Sequence, residues 1–344
     1  MNVFPNLDDL KLAFPLAHRT YKLEWEGLVV KTRPQLSAAF LSDAELLVDL
    51  TPFSVISADA LVVVLAMLRH RALQFPDRTG VQVPDDPDAL EYLGGLRFFK
   101  LVHELGVPIL NIHPEWLSYE APKRRRPELA LASLQAVTAS NLGTLADGIN
   151  RMLEHEMERR EVVIPAGSDR QVELYEFRNL LFELVHNAVR HAPSQPRLAP
   201  DQVVGYTCYR PWPKSWSKAR FVCSDCGSGF RSTLSNQGLK TSDDISAIFS
   251  ALLFRYFRHE AKIVSLFDAL AFLRNLSGCL WVANNSAGAT ISLREAYEKN
   301  RFDKVLEEPT PARLRAIGRP VSPAPMIPGV HYCVDLSLPN RVDY

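Results

Sequence analysis

The chain has 344 residues, 47% of them apolar and 23% charged, with 39 basic residues against 39 acidic ones. That length suits two domains better than one core, and the balanced charge excludes a global field that would draw the chain to nucleic acid or to an anionic membrane. The longest strongly apolar run, Leu61 to Leu68, falls far short of the roughly 18 residues that a membrane span needs. The opening MNVFPNLDDLKLAF lacks a basic n-region, and the five cysteines (Cys208, Cys223, Cys226, Cys279, Cys333) are an odd number, so a reduced, cytoplasmic protein without membrane contact is expected.

In chain order, Tyr21 to Val30 reads as a strand, Glu45 to Leu50 as a buried strand, and Ala58 to Leu73 as an apolar helix. Val81 to Val83 is a short strand, Pro87 to Leu105 a helix containing Gly94 and Gly95, and Val107 to Ile112 another strand. Strands alternating with helices imply a small α/β sheet. Ser118 to Pro127 (SYEAPKRRRP) reads as an exposed basic linker, and Glu128 to Arg160 as a long helix or helical pair. These boundaries divide the chain into an α/β domain over 1–117, a linker and connector helix over 118–160, and a second domain over 161–344.

Within that second domain, Leu174 to His191 is a strongly amphipathic helix that stops before Pro193. Gln202 to Arg210 and Ala219 to Asp225 read as paired strands, and Ser242 to Leu276 as mostly helical. Cys279 to Asn284 and Ala289 to Leu293 form a hairpin around Asn285 and Gly288. A polar, Pro-rich loop then leads to a last strand, His331 to Leu336.

The chemistry lies in two segments of this domain. On FRNLLFELVHNAVRHA, Glu183 and Asn187 are four residues apart and share a helix face that Arg190 and His191 extend. Phe177, Leu181, Leu184 and Ala188 form a separate apolar stripe. An Asn oxygen is a hard ligand that Mg²⁺ accepts beside phosphate oxygens, and a carboxylate one turn away suits a base or a water-positioning group. Further on, FVCSD ends at Asp225 and runs into Gly227 and Gly229. A strand-end acceptor beside a turn without side chains suits the exocyclic amine of adenine and penalises guanine, which offers a carbonyl there.

In this order ELVHNAVRHA, SDCGSGF, DALAFLRNLSGCLWVANNSAGATISL and PGVHYCVDLSLP resemble the GHKL (histidine-kinase-like) ATPase superfamily, which includes histidine kinases, anti-sigma-factor kinases, gyrase B, MutL and heat-shock chaperone ATPases. The resemblance spans roughly Glu161 to Pro339 and implies a Bergerat-fold α/β sandwich with a mixed sheet. It implies ATP and Mg²⁺ as ligands, with Asn187 on the metal and Glu183 as base or water-positioning residue. Arg190 and His191 would approach phosphate, and Asp225 would hold the adenine amine between Gly227 and Gly229. Two features depart from the family pattern. No glycine occurs from Leu239 to Ser277, where a second glycine box would let backbone N–H groups wrap the phosphates, and Val330 replaces a threonine before the last strand. Arg255, Arg258, His259 and Lys262 are side-chain substitutes for those donors, or simply a solvated face.

LLVDLTPFSVISADALVVVLAML followed by PDALEYLGGLRFFKLVHELGV resembles STAS domains, the fold of anti-sigma-factor antagonists, over about Tyr21 to Ile112. Under that resemblance Asp59 stands where a phosphoserine would be, as a partial mimic of its charge, or is a helix N-terminal acid with Ser57 as N-cap. His103-Glu104 resembles a phospho-acceptor box but fits a helix end, and Cys223 with Cys226 has metal-like spacing but no second pair. The expected function is that of a cytoplasmic ATP/Mg²⁺-binding regulatory protein acting as an ATPase, kinase or nucleotide-gated switch on a protein partner, with a homodimer allowed. The alternatives are a non-catalytic nucleotide-binding scaffold, and an ATP-gated subunit of a DNA-acting or defence assembly favoured by KRRRP and the Trp212/Trp216 loop.

Overall fold

The computed structural model describes residues 11–13, 22–23, 43, 45–53, 55–118, 134–145, 147–148, 151, 179–189, 202–211, 218–225, 227–253, 266–275, 277–321 and 327–337. It is a mixed α/β structure with a four-stranded parallel sheet, a two-stranded parallel pair and a seven-stranded antiparallel sheet among the described residues. The N-terminal sheet runs β1 (Lys11–Ala13), β3 (Leu46–Asp49), β5 (Thr79–Gln82), β6 (Ile109–Leu110), every pair parallel. A separate parallel pair joins β2 (Lys22–Leu23) to β4 (Val55–Ile56). Parallel neighbours need crossovers; α1 (Ala58–Gln74) supplies the one between β3 and β5, and α2 (Pro87–Gly95) with α3 (Phe98–Glu104) the one between β5 and β6.

The single helix expected over Pro87 to Leu105 is in fact two. Gly94 and Gly95, poor helix formers, close α2, and Arg97 turns the chain through a left-handed conformation (φ 66°) into α3. The Tyr21–Val30 strand is described only at β2, and the linker residues Lys123 to Arg126 lie outside the described residues.

The second sheet has seven strands: β7 (Gln135–Val137), β8 (Gly205–Pro211), β9 (Lys218–Asp225), β10 (Cys279–Asn285), β11 (Ala287–Ser292), β12 (Arg319–Val321) and β13 (Ile327–Ser337). Its order is β12-β11-β10-β13-β9-β8-β7, and each neighbouring pair is antiparallel, where a mixed sheet was expected. Two hairpins, β8–β9 and β10–β11, impose that direction, and β13 enters between them antiparallel to both.

Two further expectations are corrected here. Residues 135–137, read as helix, form an edge strand paired with β8, so the sheet begins upstream of the boundary drawn at 161. The helix cannot reach back into this segment because a turn interrupts it. Thr138 N donates to Asn141 Oδ1 (2.9 Å), Asn141 N to Thr138 Oγ1 (3.2 Å), and Asn141 Nδ2 to Ala136 O (2.8 Å). The stretch read as a polar loop before the last strand contains α8 (Ala296–Glu307) and α9 (Pro311–Ile317). A capping box between Glu295 and Glu298 starts α8, and Thr310 with Pro311 starts α9; Phe302, Val305 and Leu314 anchor both in the core.

The seven-stranded sheet is covered on both faces. Toward one face lie α4 (residues 179–189), α5 (Gly229–Asn236), α6 (Asp244–Leu252) and α7 (Leu266–Asn275), burying Leu184, Phe230, Ile248 and Leu270 against Phe221, Cys223, Tyr332 and Val334. Strand alternation sends Tyr206, Cys208, Val222 and Cys333 to the other face, where they share a core with α1. Helix α1 lies between the two sheets, against β5 on one side and β8, β9 and β13 on the other. Every residue from Ala58 to Arg69 is buried. That is why its sequence is apolar all round rather than along one stripe.

Candidate functional site

Strand β9 carries Asp225 at its last position, on the face that α4 covers. The carboxylate is 3% exposed, and both N–H groups that reach it converge on one oxygen: Gly227 N at 2.8 Å and Val330 N at 3.2 Å donate to Oδ1. Oδ2 has no hydrogen-bond donor among the described residues. Burial pushes this carboxyl up to about 7, against the opposing pull of the two N–H groups and the Arg69 charge. Asp225 in turn opposes ionisation of its neighbours, so burial and its charge raise Cys223 and Tyr332 well above their ordinary values.

The turn after Asp225 depends on glycines. Gly229 has φ 77°, and a Cβ there would meet Asn285 Nδ2 at 2.4 Å and Asn284 Oδ1 at 2.6 Å. Gly329, just before Val330, has φ 99°, and a Cβ there would meet Asp225 O at 2.2 Å. Only glycine allows β13 to start this close to the end of β9.

The β10–β11 turn holds the arrangement together. Asn284 is fully buried and its Oδ1 accepts from Phe230 N (2.9 Å) in the first turn of α5. Asn285 Oδ1 accepts from Gly329 N (3.2 Å), and Asp244 Oδ2 accepts from Ser286 Oγ (2.6 Å) at the start of α6. Three sequence segments far apart in the chain, SDCGSGF, ANNSAG and PGVHY, therefore meet at one strand end. Asn284 and Gly329 escaped the sequence reading as site residues; the adjacent asparagines of the hairpin and the Gly before the closing strand were the available signals.

Helix α4 presents Glu183 and Asn187 over the same sheet face. Cys223 Sγ lies 3.9 Å from Leu184 O, and Leu181, Leu184 and Ala188 of the expected apolar stripe are buried in the core that contains Cys223. Glu183 is itself buried at 5% exposure rather than lying on a solvated polar edge. Asn187 Nδ2 donates to Glu183 O (2.8 Å), which orients the amide with its oxygen as the available ligand atom. Arg190 and His191, the expected phosphate contacts, and Arg255, Arg258, His259 and Lys262, the candidate substitutes for glycine-box donors, lie outside the described residues, as do Cys226 and the Trp212/Trp216 loop.

Asp59 is not a surface charge. Its side chain is 4% exposed and Oδ2 accepts from Arg220 Nη1 at 2.8 Å, while Arg220 also binds Asp335 through Nε (2.7 Å) and Nη2 (3.0 Å). Asp59 stands in the first turn of α1, as the helix N-terminal reading has it, and its carboxylate is sealed against β9 in the ion pair with Arg220. Ser57 occupies the N-cap position of α1, but its side chain makes no capping hydrogen bond. His103 is exposed in the last turn of α3, which closes through Gly106 (φ 71°). Compared with known proteins, the chain matches no family model, no curated protein and no solved structure.

Proposed function

We propose that the chain is an ATP- and Mg²⁺-binding regulatory protein of the GHKL type, with a Bergerat-like sandwich built on β8 to β13 and a STAS-like N-terminal unit. The observation that carries this reading is the buried Asp225 carboxyl, with one oxygen fixed by two backbone N–H groups and the other left for a ligand. In this reading Oδ2 accepts the exocyclic amine of adenine, and the glycine turns at Gly227, Gly229 and Gly329 let backbone lie along the ring. A guanine carbonyl would face the same carboxylate and be repelled.

The α4 residues fit the other end of a nucleotide. Asn187 has its amide nitrogen committed to a backbone carbonyl, which leaves its oxygen for a hard cation. Glu183, one turn earlier and buried, suits positioning or deprotonating a water or hydroxyl. The amine needs an ionised carboxylate, so affinity rises with pH through about 7, the range to which burial moves Asp225. Nucleotide state would then act on a protein partner through the segment between α6 and α7.

Calorimetric titration of ATP, ADP and GTP with and without Mg²⁺ tests this. ATP is expected to bind more tightly than GTP, Asp225→Asn to lose that preference, and Asn187→Ala to lose the Mg²⁺ dependence. If the wild-type chain binds neither ATP nor ADP under any of these conditions, the reading fails.

A further inference from the structure

The N-terminal unit is tied to the end of the sheet opposite Asp225, and the geometry of that tie has a consequence at Asp225 itself. Asp59, in the first turn of α1, is locked to Arg220 near the start of β9. From Asp59 to Arg69 the helix advances about 15 Å. From Arg220 to Asp225 the strand advances about 16 Å. With their starts joined and α1 lying against β8, β9 and β13, helix and strand deliver Arg69 and Asp225 to the same end of the sheet, Arg69 from the face that α1 covers and Asp225 on the other.

We propose that Arg69 is a positioning residue for Asp225: α1 carries its charge to the strand end, where it favours the ionised carboxyl that a ligand donor needs. This rests on the nucleotide reading for what the ligand is, but the electrostatic link does not. The N-terminal unit then completes the site rather than merely covering the sheet.

The surroundings explain why such a charge is needed. Cys223 and Tyr332 flank Asp225 on its own face of the sheet, both buried and neutral, and Glu183 lies on α4 over that face. Tyr206 and His331 point to the α1 side, where His70 follows Arg69. Two backbone N–H groups are the only hydrogen-bond donors to Asp225 among the described residues. Arg69 is the permanent cation of this set, and its charge favours the ionised carboxyl.

The test follows Asp225 directly. Protein labelled with ¹³C at aspartate carboxyls, with the Asp225 resonance assigned by its loss in Asp225→Asn, is titrated by NMR without ligand. The midpoint is expected to rise by half a pH unit or more in Arg69→Met and Arg69→Gln, and to return toward the wild-type value in Arg69→Lys. An unchanged midpoint in whichever of the two neutral variants folds overturns the proposal. In a parallel ATP titration the neutral variant should bind about threefold more weakly than wild type at acidic pH and equally at alkaline pH. A shifted midpoint with no ATP binding by wild type would sink the nucleotide reading alone and leave the Arg69–Asp225 link standing.

Discussion

Arg220 holds two carboxylates at once, Asp59 from α1 and Asp335 from the neighbouring strand, and Asp335 is shared with the more exposed Arg294. The three buried or nearly buried groups satisfy one another, so removing one leaves a charge without water or a partner. Arg220→Met should cost roughly 3–5 kcal/mol, because Asp59 stays buried and unpaired. The double variant Arg220→Met/Asp59→Leu should recover much of that loss, since an apolar pair of similar volume removes the orphaned charge. Urea unfolding of the three proteins decides it: equal midpoints for the single variant and wild type would contradict the account. The residue types involved were visible in the sequence, yet it placed Asp59 only at a helix start, because the 161 positions separating it from Arg220 carry no pairing signal. Asp225 was legible, because a strand-end carboxylate followed by glycines has a local reason to be there.

Among the elements, α1, β8, β9 and the β10–β11 hairpin follow from periodicity and turn chemistry alone. Those that did not follow are instructive. The edge strand β7 sits in an Ala/Leu-rich stretch whose intrinsic preference is helical, and pairing with β8 overrides it. Helix α8 is polar along most of its length, with Phe302 and Val305 as its buried residues, so its amphipathic signal is thin and its capping box is the better evidence. The junction of β9, the hairpin and β13 depends on backbone approach rather than on side-chain pattern. Gly329→Ala should destabilise by about 1–3 kcal/mol through a strained φ, and the added methyl, aimed at the Asp225 carbonyl, should displace the Val330 N–H from Asp225. A thermal melt together with an ATP titration checks both parts. A variant with unaltered melting would mean that the loop relaxes freely.

At the scale of the whole molecule, a parallel sheet and an antiparallel sheet share one helix. Removing residues 1–117 would uncover Tyr206, Cys208, Val222 and Cys333 on the seven-stranded sheet and deprive Arg220 of Asp59. The truncated chain is expected to aggregate or to bind a hydrophobic dye strongly. A monomeric fragment with a sharp melting transition and no dye binding would show that the two halves fold independently. No helix among the described residues is long and apolar enough to cross a membrane. By itself the sequence determined the local events: where apolar runs alternate with helices, where glycines permit turns, and which carboxylate and amide stand at element ends. Only the tertiary structure decided that α1 is covered by a sheet on each side, that β13 enters between two hairpins, and that Asp59 meets Arg220. These depend on which surfaces meet across long sequence separations, and hydrophobic burial, being non-directional, leaves no record of its partner in a local pattern.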